Sequence, residues 1–199
     1  MATADIVALV LLAALALYLV SLYNRLTTRR TRLRNAFAQI EVQLKRRYDL
    51  IPNLLETVKG YLQHERQTLT ALAEARNSAR DSLQAAAAQP GDSERIARLG
   101  QDQGALDQVL NRLHLSLEAY PELKASQNMA QLSEELTSTE NKVAYARQAF
   151  NDAVTDYNLC KQQVPALFFA GLFGHRADAA LLQFADSARI QDASKVSFQ

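Results

Sequence analysis

Catalysis and metal binding need nucleophiles, proton carriers or ligands at workable spacing, and this chain offers few of them. Its three histidines, His64, His114 and His175, stand far apart. His64-Glu65 is not followed by a second His one helical turn later, so no zinc-protease helix is present. Glu134 and Glu135 lack the Glu-x-x-His partner of a di-iron helical site. Cys160 is the single cysteine and cannot form an internal disulfide. Its flanks, Tyr157-Asn158-Leu159-Cys160-Lys161, hold no Cys or His at ligand spacing, so it reads as a small buried hydrophobe. Gly60, Gly91, Gly100, Gly104, Gly171 and Gly174 form neither a phosphate loop nor a dinucleotide pattern. No nucleophile–base pair is evident. The expectation is a chain with no catalytic centre, no metal and no cofactor. With a net charge of +1 and no Trp to stack bases, nucleic acid is not an expected partner either.

The remaining polar residues of interest interrupt apolar stripes. Arg47, Glu65 and Arg76 fall on seam positions of the first two helices. Thr139 falls on the seam of the last, beside Glu140 and Asn141. Glu140, Ala144 and Arg147 share one face at spacings of four and three. Two readings stay open. One is a half-buried Arg–Glu network that sets register and partner choice. The other is a row of solvated residues at the edge of the helices.

The elements that carry these residues are helical. Ala, Leu, Gln, Glu, Arg and Lys dominate, and each loses little rotamer freedom in a helix. With 6 Gly and 4 Pro among 199 residues, the chain has few places to turn. Apolar residues step by three and four along four stretches. The first, about 23–48, carries Leu33, Phe37, Ile40 and Leu44. The second, about 50–88, carries Ile51, Leu55, Val58, Leu62, Leu72 and Leu83. The third, about 93–119, carries Ile96, Leu99, Leu106, Leu110 and Leu113. The fourth, about 126–163, carries Met129, Leu136, Val143, Phe150 and Tyr157. Gln89-Pro90-Gly91-Asp92 is a loop. Tyr120-Pro121 and Val164-Pro165 end helices, because the residue before Pro is pushed out of the α region. Ser126 suits an N-cap. No strand pattern appears.

Ile6 to Leu22 carries no charge and extends about 26 Å as a helix, close to a hydrocarbon core. Ile6, Leu9, Leu12, Leu15, Leu19 and Leu22 would face lipid, with Tyr18 and Tyr23 at an interface. A cleaved signal peptide would need a positive leading segment, and MATAD has none. A transmembrane anchor is the favoured reading. Arg25, Arg29, Arg30, Arg32 and Arg34 crowd its far end. The positive-inside rule then puts the N-terminus outside and the rest in the cytoplasm. The arginines form a solvated face and are expected to meet anionic headgroups.

Asp49-Leu50-Ile51-Pro52 is the least certain break, since Asp49 can cap and Pro52 suits a first turn. A hairpin there carries a conflict. Residues 23–48 extend about 39 Å, whereas 50–88 extend about 58 Å, which would carry the polar Arg76–Asp81 stretch to bilayer depth. The helices must splay, or the second must break early, or the chain kinks at Pro52 without reversing; the hairpin is favoured. After Pro165, the run Ala166–Gly174 is too short to span a bilayer. It reads as a cap over the helix ends or as an interfacial or subunit-contact patch built on Phe168, Phe169 and Phe173. A last short helix, Asp178 to Ile190, and a polar tail are expected to follow.

Two blocks carry a family resemblance. YNRLTTRRTRLRNAFAQIEVQLKRRYDLIPNLLETVKGYLQHE, from Tyr23 to Glu65, contains the specific core VQLKRRYDLIPNLLETVKGY. The second runs from YPELKA at Tyr120 through ELTSTENKVAYAR to FNDAVTDYN ending at Asn158. Both resemble the LemA family, and the ending FADSARIQDASKVSF is similar to its usual C-terminus. Phe37, Glu41 and Met129 stand where the family often has Trp, Asp and Phe, each keeping the residue class. The resemblance implies a single-pass inner-membrane protein with an antiparallel four-helix bundle and no assigned enzymatic activity. It further implies a membrane-linked M48-type peptidase or a TPM-domain protein as a conceivable partner.

The combined expectation is an all-α chain. Residues 1–23 form a single N-terminal transmembrane helix. Residues 24–165 form an antiparallel four-helix bundle, and residues 166–199 an apolar segment, a short helix and a tail. Its function is expected to be non-enzymatic: a self-associating scaffold of the bacterial cytoplasmic membrane, in contact with the lipid bilayer as a homo-oligomer. The alternative is an adaptor that recruits a membrane peptidase or another membrane enzyme.

Overall fold

A computed structural model describes residues 2–62, 65–124 and 126–184. Its order is α1 (Ala2–Lys59), α2 (Arg66–Ala88), α3 (Ser93–Leu117), α4 (Pro121–Lys124), α5 (Gln127–Gln162) and α6 (Ala166–Phe169). Every regular element among the described residues is helical. Side chains cap two of the long helices, Ser126 as expected. Asp92 accepts from Arg95 N at the start of α3, and Ser126 accepts from Met129 N at the start of α5.

α1 is about 87 Å long at 1.5 Å per residue. Its first third is almost wholly exposed among the described residues, and the remainder runs through the middle of the molecule. Leu33, Phe37, Ile40, Leu44, Ile51 and Val58 are buried at the three–four spacing read from the sequence. α5 lies antiparallel along α1, with Phe37 and Phe150 edge to face at 5.5 Å. α2 and α3 form a second antiparallel pair, and one continuous apolar core joins all four long helices. Helix stability here comes from this shared burial rather than from propensity alone.

The hairpin expected at Asp49–Pro52 does not form. α1 continues through Pro52 to Lys59. An interior proline removes the N–H that would meet the carbonyl four residues back, here that of Tyr48. Arg76 Nε, from α2, donates to that carbonyl at 2.8 Å. A neighbouring helix thus replaces the lost bond. The chain reverses later, at Gly60–Leu62, where Tyr61 N and Leu62 N both donate to Val58 O. This removes the length conflict. α2 starts at Arg66, so its polar Arg76–Asp81 stretch lies beside Tyr48, far from the N-terminal third. The α2–α3 turn sits level with Leu33: a Cβ on Gly91 would lie 3.7 Å from the Leu33 side chain.

The helix expected from Asp178 is also absent over its described part, residues 178–184; the remainder, with His64, lies outside the described residues. Residues 179–184 run instead as an extended strap against α5. Asn158 exchanges two hydrogen bonds with the backbone of Ala179, each 2.9 Å. Asn151 does the same with Leu182, at 3.2 and 2.9 Å. Those backbone groups would otherwise be committed within a helix. Gly100 lets the strap approach α3, because a Cβ there would stand 2.3 Å from Gln183 O. Leu182 and Phe184 enter the core.

Candidate functional site

The expected site residues gather at two places along α1. The first is the junction between its apolar third and the packed body. Ile6, Leu9, Leu12 and Leu15 are each more than half exposed, Leu19 is half-buried and Leu22 is buried. The richest 18-residue window has a mean hydropathy of 2.6, and only 6% of it is buried. α1 is therefore long and apolar enough to cross a membrane. Beyond Leu22 comes a collar of cations. Arg25 and Arg32 are exposed beside a surface hollow shared with Thr28 and Arg29. Arg29 pairs with Asp156 of α5.

Arg30 and Arg34 border a second hollow of about 470 Å³, closed on its other sides by the α2–α3 turn and by Gly174–Ala179. Inside it, Tyr157 Oη and His175 Nδ1 share a 2.9 Å hydrogen bond. Burial pushes the Tyr157 hydroxyl pKa up and the His175 pKa down. Arg30 lowers both, and Lys161 lowers that of His175 further. Both groups are thus held neutral. Lys161 is buried, and its Nζ donates to Ala177 O at 2.6 Å and to Asp178 at 2.7 Å. That bond holds the Asp178 carboxyl below the usual carboxylate range. The ammonium thereby pins the loop after α6.

The aromatic patch lies at the same level. Phe173 meets Tyr23 edge to face at 5.5 Å and stacks on Phe169 at 6.3 Å, while Phe168 is exposed. Cys160 is buried with Leu26 and Ala170, as a small core residue would be.

The second place is a buried polar centre midway along the body. Arg47 is buried and pairs with Asp107 of α3. Tyr48 Oη donates to Ala79 O at 3.1 Å and receives a bond from Gln103 Nε2. Burial drives the Tyr48 hydroxyl pKa far above its ordinary value. With Arg76 on the Tyr48 carbonyl, α1, α2 and α3 are locked in one register. Of the expected seam residues, only Arg47 and Arg76 meet here. Glu65 precedes α2 and accepts from Thr68. Glu140 is exposed at the rim of a hollow of about 60 Å³ that Arg47 and Asp107 also line. Arg147 places its guanidinium 4.6 Å over the Phe184 ring. No single Arg–Glu network joins these five residues.

Several central groups were not singled out from the sequence. Gln103 had a usable signal, since it fills the seam gap between Leu99 and Leu106. Tyr48 had another, standing four residues before an interior proline. Asp107, Lys161, Asn151 and Asn158 carried no local signal. Among the described residues no cluster of three or more His, Cys, Asp or Glu could hold a metal ion. The arrangement offers a cationic collar and an apolar patch at one end, and a register lock at the centre.

No curated protein matches this chain. Among known protein families, residues 36–198 match the LemA family. The match takes in the register lock, most of the packed body and the strap, and on it this chain belongs to the LemA family.

Proposed function

We propose that this protein is a membrane-anchored, non-enzymatic structural component that associates with copies of itself. α1 crosses the cytoplasmic membrane once, with its N-terminus outside, and an antiparallel four-helix bundle stands in the cytoplasm. The observation that carries this reading is the continuity of α1. One uninterrupted helix bears the lipid-facing window and then the buried residues Leu26 to Val58 of the body. No linker separates anchor from body, so the body is held at a set height and angle. That suits a building block better than a tethered enzyme, which gains from a flexible stalk. Val42, Leu115 and Tyr145, away from the anchor, expose large apolar side chains that lateral contacts would cover. In this reading Arg25, Arg30, Arg32 and Arg34, exposed beyond the apolar window, meet anionic headgroups.

The test is the mass of the native particle in detergent and in lipid nanodiscs. A discrete, homogeneous multiple of the chain supports self-association. A stoichiometric second protein, such as a membrane peptidase or a TPM-domain protein, replaces this reading with that of an adaptor. A monomer in both media refutes it.

A further inference from the structure

We propose that the segment from Val164 to Phe173 is an interfacial foot. Its outer side chains insert into the headgroup boundary of the bilayer that α1 crosses. The inference rests on the anchored reading above and goes beyond it, because it assigns a second, separate membrane contact.

Three observations carry it. First, the segment has two apolar faces. Ala166 and Ala170 are buried, with Ala170 against Leu26 and Cys160, and Phe173 lies on Tyr23. The opposite face exposes Val164 at 72%, Leu167 at 55%, Phe168 at 69% and Leu172 at 80%. Second, residues 163–174 contain no charge, so nothing in the segment favours water over lipid. Third, its level is set by α1. Phe173 touches the residue directly after the apolar window, and Leu22 inside that window is already covered. A bilayer around the window therefore ends where this apolar face begins. The neighbouring arginines lie at headgroup height. Amphipathic segments at this level seat their apolar face about 5–10 Å deep, at the headgroup–acyl boundary. A protein partner at this patch would have to displace lipid from the immediate edge of the span, so lipid is the occupant the geometry favours.

The chain has no Trp, so single-tryptophan variants give clean reporters. Full-length F168W, L12W and Y145W are placed in nanodiscs whose phospholipids are brominated close to the headgroup or deeper in the acyl chain. L12W reports the anchor. Tyr145 is 75% exposed on α5 and about 25 Å along that helix from its end, so Y145W reports the body. The expected result is quenching of F168W by at least about twofold, stronger with the shallow bromines, with L12W also quenched and Y145W unaffected. L172W repeats the measurement at a second position, and far-UV circular dichroism confirms retained helix. Quenched L12W with unquenched F168W and L172W overturns the foot and leaves the anchor standing, whether those tryptophans are wet or covered by protein. Unquenched L12W overturns the anchored reading itself.

Discussion

The bond from Arg76 to the Tyr48 carbonyl makes a prediction that separates cause from coincidence. Pro52 cannot donate to that carbonyl, and Arg76 Nε reaches it at 2.8 Å. Arg76→Met keeps most of the aliphatic stem and removes the donor. Leaving a partly buried acceptor unpaired costs about 1–3 kcal/mol. Pro52→Ala restores a backbone N–H at the position that faces the same carbonyl, so Arg76→Met in that background should cost less than about 1 kcal/mol. The expected coupling is therefore about 1–2 kcal/mol, well above the scatter of independent sites. Thermal unfolding of the full chain in detergent, followed by far-UV circular dichroism, reads it. At this size 1 kcal/mol moves Tm by about 2–4 °C, so Arg76→Met alone should lower Tm by roughly 2–12 °C. Arg76 also donates to the Asn77 side chain at 3.2 Å, an exposed bond, so Asn77→Ala should change Tm little. Equal costs of Arg76→Met in both backgrounds, within about 0.5 kcal/mol, would refute the claim that this side chain is what lets α1 pass through Pro52.

Four further outcomes are expected. Tyr48→Phe strands Gln103, whose buried Oε1 has no hydrogen-bond partner among the described residues, and should cost about 1–3 kcal/mol; adding Gln103→Leu should recover much of it, by the same melting assay. Arg47→Ala removes a buried guanidinium and its bond to the half-buried Asp107 and should destabilise by about 1.5–3 kcal/mol, more than Arg46→Ala, whose exposed partner is Glu135. Gly100→Val places atoms where the Gln183 carbonyl lies, so the strap must detach; hydrogen exchange at the Leu182 amide, which now donates to Asn151 at 2.9 Å, should accelerate while the centre of α1 stays protected. His175 is held neutral below its ordinary value of 6.5 by burial, Arg30 and Lys161. The unfolded chain then takes up its proton first as pH falls. Stability should be complete above pH 6.5 and decline as pH drops through that value toward the folded one. His175→Gln should flatten Tm between pH 7.5 and 5.5, a result that persistence of the slope would contradict.

The helical class, the seam residues and most helix ends were legible because they are local. Leu33, Phe37, Ile40 and Leu44 bury the face that their spacing implies, Ser126 caps where its chemistry places it, and the loop ending at Asp92 falls where the sequence places it. The apolar run from Ile6 and its arginine collar were equally plain, being matters of composition along one stretch. Arg47 and Arg76 were visible as polar interruptions, but the partners that give them meaning were not. Asp107 comes from sixty residues away and a carbonyl from twenty-eight, and no spacing rule ties them together.

What the amino-acid order determined by itself was therefore everything governed by the period of a helix: which faces are apolar, where caps fall, and which end could enter lipid. Only the tertiary structure decided where the chain turns. Proline forbids a backbone bond wherever it stands, yet whether that ends a helix depends on a donor arriving from elsewhere, and here Arg76 arrives. The same holds beyond Asp178. Ala179, Ala180, Leu181 and Leu182 are good helix formers, but the amides of Asn151 and Asn158 bind the backbone there, and Gly100 leaves the space that lets it lie extended.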